Sequence, residues 1–227
     1  MKNSSPIAIF DSGVGGLSVL DEISKILPNE NLIYVADSRN APYGLKSFEE
    51  IYIRASKIIN FLLKNHELKL IVVACNTATA ACIKKLREVY DVPLVGMEPA
   101  VKPAIQLSKK KCIGILATEG TIKSAKFSAL LENYYGEAKF YIQPCIGLVE
   151  YIEKGQNDTL EVNDVVCKNL AALKEKKVDV IVLGCTHFLF IKSIIEDYFD
   201  NSVRIIDTGK AVANRVVDLI GQNDSLN

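Results

Sequence analysis

Residues 70–81 read Leu-Ile-Val-Val-Ala-Cys-Asn-Thr-Ala-Thr-Ala-Ala. An apolar, β-branched run stops at the thiol of Cys75, then gives way to Asn76, Thr77 and an alanine-rich helical start. A short apolar run without polar alternation predicts a strand buried on both faces of a parallel sheet. Such strands empty into a crevice at the mouth of the next helix. The same grammar returns at residues 178–187, Val-Asp-Val-Ile-Val-Leu-Gly-Cys-Thr-His. Its thiol, Cys185, lies 185 − 75 = 110 positions after the first. Two thiols presented alike by two halves of one chain predict two acid/base groups facing one substrate.

Toward the N-terminus, an apolar strand over residues 6–10 runs into Asp11-Ser12-Gly13-Val14-Gly15-Gly16, and a helix over 17–27 is closed by Pro28. A glycine-rich turn between strand and helix brings backbone amides close to an anion. The Gly-x-Gly-x-x-Gly spacing of a dinucleotide site is absent, and a carboxylate ligand suits the same amides. Asp11 stands where the strand ends, the usual place for a catalytic side chain in such folds, with helix capping as its alternative role. A second strand over 31–36 leads to a loop containing Pro42-Tyr43-Gly44, a turn with amides and a phenol to offer. Ser47-Phe48-Glu49-Glu50 reads as a capping box for a helix to about residue 64. A strand over 93–95 completes a first βαβαβαβ set, which predicts a parallel sheet covered on both faces.

A second set begins after residues 96–99. A strand over 112–117 followed by Thr118-Glu119-Gly120-Thr121 repeats the first strand and turn, Thr118 falling 118 − 12 = 106 positions after Ser12. A strand over 138–142, helices over 147–154 and 160–175, and a strand over 178–183 complete the second half. Glu150, near the start of the first of those helices, is a candidate to point into the crevice. A strand over 203–206 precedes Asp207 and a final helix over 208–220 that returns to the first half. The expected division is residues 1–96 plus 207–227 against residues 97–206.

The totals narrow the function. The chain has 227 residues, 49% hydrophobic and 24% charged, with a formal net charge of zero. Its one basic run, Lys109-Lys110-Lys111, reads as the solvated end of a helix, so no nucleic-acid surface is expected. No apolar stretch approaches the roughly 20 residues that span a bilayer, and no secretory h-region precedes the first strand, so a cytoplasmic protein is expected. The six cysteines include no Cys-x-x-Cys, and His66 and His187 are the two histidines, so no metal site is expected. Cys82, Cys112, Cys145 and Cys167 read as small buried hydrophobes.

A free thiol has a pKa of about 8.5, lowered at a helix N-terminus or beside a proton acceptor. Cys75 and Cys185 both precede predicted helices; Asp11 is available to one thiol and His187 stands two residues from the other. A nucleophilic hydrolase needs one cysteine and one base, and a redox pair usually has the Cys-x-x-Cys spacing. Two acid/base thiols on opposite faces of one carbon fit the pattern better and invert a stereocentre without a cofactor. Lys46, Lys84 and Lys123 stay open as Schiff-base lysines for pyridoxal phosphate, with no distinguishing context.

Four motifs in register then carry a resemblance: Phe10-Asp11-Ser12-Gly13-Val14-Gly15-Gly16-Leu17, Pro42-Tyr43-Gly44, Val73-Ala74-Cys75-Asn76-Thr77-Ala78-Thr79-Ala80 and Leu183-Gly184-Cys185-Thr186-His187. Together with Met97-Glu98-Pro99-Ala100 and Asp207-Thr208-Gly209, they resemble the bacterial glutamate racemases over nearly the whole chain. The resemblance implies two similar α/β domains, flavodoxin-like and doubly wound with parallel sheets, and an active site in the cleft between them. It implies cofactor-independent interconversion of L- and D-glutamate for peptidoglycan, in a homodimer. By position, Cys75 deprotonates D-glutamate and Cys185 L-glutamate, assisted by Asp11, His187 and Glu150. Substrate contacts fall to Asp11, Ser12, Pro42, Tyr43, Gly44, Asn76, Thr77, Thr118, Thr121, Thr186 and His187. The chain departs from the family where Phe188-Leu189 replaces a common Tyr-Pro. Aspartate racemisation, a non-catalytic amino-acid-binding role and a dithiol redox sensor are the alternatives.

Overall fold

The computed structural model describes residues 4–224. Two four-stranded sheets, each wholly parallel, organise it. The first holds β1 (Ile7–Asp11), β2 (Leu32–Ala36), β3 (Leu70–Val73) and β4 (Leu94–Val95) in the order β2-β1-β3-β4. The second holds β5 (Cys112–Ala117), β6 (Lys139–Pro144), β7 (Val180–Leu183) and β8 (Arg204–Ile206) in the order β6-β5-β7-β8. One strand order is thus built twice. Ile7 pairs with Leu70 and Ile113 with Val180, so the equivalent strands are offset by 113 − 7 = 106 and 180 − 70 = 110 residues. These are the two displacements visible in the sequence.

Successive side chains on a strand point to opposite faces, and both faces of each sheet are apolar. On the first sheet, Ile7, Ile9, Leu70 and Val72 pack against α1 (Leu17–Ile26) and α10 (Gly209–Asp224). Ala8, Phe10, Ile71 and Val73 pack against α2 (Phe48–Asn65) and α3 (Asn76–Val89). On the second, Ile113, Ile115, Val180 and Val182 share a core with α4 (Val101–Leu107) and α6 (Ala125–Glu132), which follows the one-turn α5 (Glu119–Ile122). Leu116, Ile181 and Leu183 pack against α7 (Leu148–Glu153), α8 (Leu160–Glu175) and α9 (Lys192–Tyr198). In a 2-1-3-4 order the chain changes direction beside the first strand, and the crevice lies past the carboxyl ends there. Asp11 and Cys75 leave the first sheet at that point, and Thr118 and Cys185 leave the second.

Three local expectations need correction. Residues 118–132 form α5 and α6, whose starts are capped by Thr118 and Ser124, each accepting a backbone N–H three residues on. Cys185 opens a 3₁₀ turn over Thr186–Ile191, with α9 beginning later, and its sulfur accepts no capping amide. Lys109 and Lys110 donate their backbone amides to Asp179 at 2.8 Å each, so the basic run is a pinned turn beyond α4.

The loop after β2 crosses toward the second half and is fixed by one carboxylate. Asp37, buried, accepts two bonds from Arg54 of α2 at 2.6 and 2.9 Å. It also accepts from the Tyr43 phenol at 2.7 Å and from Asn40 at 2.9 Å. Burial alone would raise the Asp37 carboxyl, but bonds from Arg54, Tyr43 and Asn40 outweigh it and hold it below the usual carboxylate range. This stabilisation is present above the unfolded pKa of about 3.9 and is lost as pH falls through the folded value. Asp37→Asn is therefore expected to cost about 2 kcal/mol at neutral pH. Urea unfolding at acid and neutral pH checks this: the deficit should shrink toward zero below about pH 3. A deficit independent of pH would show that packing, not the charge, holds the loop.

Candidate active site

The two thiols sit deep in the cleft, Cys75 at 5% and Cys185 at 7% exposure. Cys75 is the N-cap of α3, and its sulfur accepts the Ala78 amide at 3.4 Å. It lies 3.8 Å from the Ser12 hydroxyl. Burial pushes the Cys75 thiol well above its ordinary pKa, and the negative charge of Asp11 and a charge on Cys185 push the same way. The Ala78 amide works against that rise, as expected at a positive helix end.

Asp11 is fully buried. Its Oδ2 accepts the Gly16 amide at 2.7 Å and the Thr186 hydroxyl at 3.4 Å; its Oδ1 accepts from Ser12 at 3.3 Å. The carboxylate therefore ties down the helix entry at Gly16 while standing beside Cys75. Burial raises the Asp11 carboxyl, and the His187 charge and the Ser12 and Gly16 amides only partly offset it.

Cys185 has a different partner. Its sulfur stands 3.8 Å from His187 Nδ1, and His187 Nε2 is 2.5 Å from Glu153 Oε1. Burial by itself would lower the His187 pKa. Hydrogen bonds with Cys185 and Glu153 and the charges of Cys185 and Asp11 overcome that penalty and raise it well above 6.5. Glu153 Oε1 also accepts the Val14 amide, at 2.7 Å, from the other half. Burial would raise the Glu153 carboxyl, yet His187 and Val14 pull it below the ordinary glutamate value.

Glu150, assigned to assist by resemblance, is not the residue that meets His187. It lies one helical turn earlier on α7 and lines a small cavity with Pro42, Gly44, Thr118 and Cys145. The carboxylate that reaches the imidazole is Glu153, which the sequence reading missed. The available signal was its i, i+3 spacing from Glu150, which puts both on one helix face.

The substrate-contact candidates divide by geometry. Thr77 from the first half meets Thr118 and Thr121 from the second, hydroxyl to hydroxyl, at 2.8 and 3.3 Å. Asn76 is 3% exposed, and neither end of its amide has a hydrogen-bond partner among the described residues. A buried amide without partners is costly unless a ligand supplies them. Ser12 and Thr186 converge on Asp11. Tyr43 is corrected: its phenol, 1% exposed, is committed to Asp37 and leaves only backbone to the cleft. Pro42 and Gly44 line the same small cavity as Glu150, and the Ala41–Pro42 peptide is cis. Lys123 is paired with Glu119 at 2.5 Å and Lys84 is exposed on α3. Among the described residues no cluster of His, Cys, Asp and Glu is arranged to hold a metal ion.

Comparison with known proteins agrees with this geometry. Residues 11–216 match the Asp/Glu/hydantoin racemase family. A glutamate racemase of Ectopseudomonas mendocina is 47% identical over 226 residues, 99% of this chain and 86% of that protein. One of Clostridium novyi is 45% identical over 98% of this chain and 86% of its own length. The glutamate racemase of Escherichia coli, solved with L-glutamate and the activator UDP-MurNAc-Ala, superposes with a TM-score of 0.88 at 36% identity. That match covers 96% of this chain and 83% of the other. An aspartate racemase of Picrophilus torridus shares the fold alone, with a TM-score of 0.65 at 19% identity. With its two like parallel sheets and paired cleft thiols, the chain belongs to the Asp/Glu/hydantoin racemase family.

Proposed function

We propose that this chain is an isomerase that interconverts L- and D-glutamate by a two-thiol mechanism, supplying D-glutamate for peptidoglycan. The observation that carries the mechanism is the pair of buried cysteines, each ending a strand of one sheet and each with its own proton partner. The close similarity to glutamate racemases supports glutamate as substrate.

One thiolate takes the Cα proton of bound glutamate, and the thiol on the opposite face delivers its own proton to the carbanion. The product is the other enantiomer, with the two sulfurs' protonation states exchanged. Cys75 acts on D-glutamate and Cys185 on L-glutamate. A protonated His187 beside Cys185 balances a thiolate formed there, while the Ala78 amide and the α3 N-terminus serve Cys75. Asn76, the Thr77–Thr118–Thr121 hydroxyls and the backbone of Tyr43 and Gly44 hold the carboxylates and the amino group. Donors fixed where negative charge develops lower the barrier without reorganising during the reaction. Proton transfer between two thiols and one carbon needs no cofactor. Cytoplasmic placement and a homodimer complete the reading; no described helix is long and apolar enough to cross a membrane.

The test is circular dichroism of L-glutamate with the purified protein in D2O, without added pyridoxal phosphate, metal or nucleotide. Loss of optical activity with deuterium appearing at Cα is expected, with L-aspartate unchanged; turnover of aspartate alone would reject the substrate. Cys75→Ser and Cys185→Ser are each expected to lower kcat at least about 100-fold, because a serine hydroxyl is a far poorer acid/base at neutral pH. Asn76→Ala is expected to raise KM about tenfold, the cost of roughly one ligand hydrogen bond. Because burial raises the Cys75 thiol, kcat/KM for D-glutamate should still be climbing with pH above about 8.5, the ordinary thiol value. A flat profile there would remove Cys75 as the base. Light scattering should give twice the 25.0 kDa chain mass.

A further inference from the structure

The turn at Pro42–Gly44 presses the first half directly against the second. A Cβ on Gly44 would stand 2.8 Å from the Thr118 Cβ, and one on Gly120 would stand 3.1 Å from the Gly44 carbonyl oxygen. Beside this seam lies a cavity of about 20 Å³, room for a single water. Pro42, Gly44 and Leu45 wall it from one half, Thr118 and Glu150 from the other. Leu45 and Ile146, which also line it, are 66% and 59% exposed, so the cavity opens to solvent between them.

Glu150 brings an uncompensated charge to this place. It stands in the first turn of α7 and is half-buried. Its side chain has no hydrogen bond and no ion pair among the described residues. The other carboxylate on the cavity, Glu119, is paired with Lys123 at 2.5 Å. In the two-thiol reading the reacting carbon lies between Cys75 and Cys185. Asn76 and Thr186 directly follow those thiols and are placed for the α-carboxylate and amino group. Gly44, far along the chain from both thiols, is left to hold the distal carboxylate with Thr118. Glu150 then faces that carboxylate across the cavity, and like charges sharing a half-buried space repel.

We propose that Glu150 is a specificity-determining residue whose charge weakens the hold on the substrate's distal carboxylate and so sets how tightly both enantiomers bind. The charge matters only to an acidic substrate, so the proposal deepens the glutamate reading and rests on it. The distal carboxylate takes no part in the proton transfers at Cα. The repulsion therefore acts alike on bound substrate and transition state, raising KM without lowering kcat. Both enantiomers place the same group at Gly44 and Thr118, so both directions feel it equally.

The experiment is steady-state racemisation of L- and D-glutamate by the full chain and its Glu150→Gln, Glu150→Ala and Glu150→Asp variants, at low and high KCl. Glu150→Gln and Glu150→Ala are expected to lower KM about three- to tenfold in both directions, with kcat unchanged. Glu150→Asp keeps the charge and should stay closer to the unaltered protein than either. At about 0.5 M KCl the differences in KM should shrink, because screening shortens the reach of the charge. A carboxylate that only favours the start of α7 would instead lower the unfolding temperature on removal and leave KM in place, and that result overturns the proposal. So does a KM that rises in Glu150→Gln and Glu150→Ala, or one that falls equally in Glu150→Asp. Racemisation by the unaltered protein with KM unmoved in the variants overturns this proposal alone. Absence of racemisation in the unaltered protein sinks the functional reading, and the proposal with it.

Discussion

The site depends on how closely the β1–α1 turn approaches the second half. A Cβ on Gly15 would stand 2.4 Å from His187 Nδ1 and 2.5 Å from the Thr186 hydroxyl, and one on Gly13 would strike Glu153. Real Cβ contacts of that length do not occur, so a side chain at Gly15 would displace His187 and Thr186, and one at Gly13 would turn the Glu153 carboxylate aside. None of these glycines has a positive φ. They are required by proximity to another part of the chain, not by the backbone conformation of the turn itself.

That approach explains how four ionisable side chains share one nearly dry cleft. Asp11, Cys75, Cys185 and His187 are each less than a tenth exposed, and an isolated buried charge is costly. Each is partnered instead. Asp11 takes a backbone amide and two hydroxyls, Cys75 takes the amide of Ala78, and His187 lies between a thiol and a carboxylate. Three of the supporting contacts, Val14 to Glu153, Thr186 to Asp11 and Thr77 to Thr118, run between the halves. The electrostatics that tune the proton donors are therefore available in full only when the two sheets are brought together. In the proposed function, the unpartnered Asn76 amide and the Thr77–Thr118–Thr121 hydroxyls take the substrate's polar ends.

The two halves use one plan with different local solutions. Both thiols end the third strand of a 2-1-3-4 sheet. Cys75 caps a true α-helix and gains an amide; Cys185 opens a 3₁₀ turn, gains none, and relies on His187. A duplicated fold thus sets two sulfurs at equivalent strand ends in chemically distinct surroundings, which suits the two-faced proton transfer proposed above.

The sequence by itself determined the parallel α/β architecture, the offsets of 106 and 110 residues between its halves, and the strand ends where Asp11, Cys75, Thr118 and Cys185 emerge. These rest on local patterns: apolar runs that stop abruptly, and polar residues at the stop. Only the tertiary structure decided that Glu153, not Glu150, meets His187. The two lie on the same face of α7, about 4.5 Å apart along its axis, so periodicity cannot separate them. The placement of α7 against the β1–α1 turn does. Only the tertiary structure, likewise, committed the Tyr43 phenol to Asp37 and denied Cys185 a helix amide. Each of these depends on which residues distant in sequence arrive at hydrogen-bond distance, and that is fixed by how the two sheets pack.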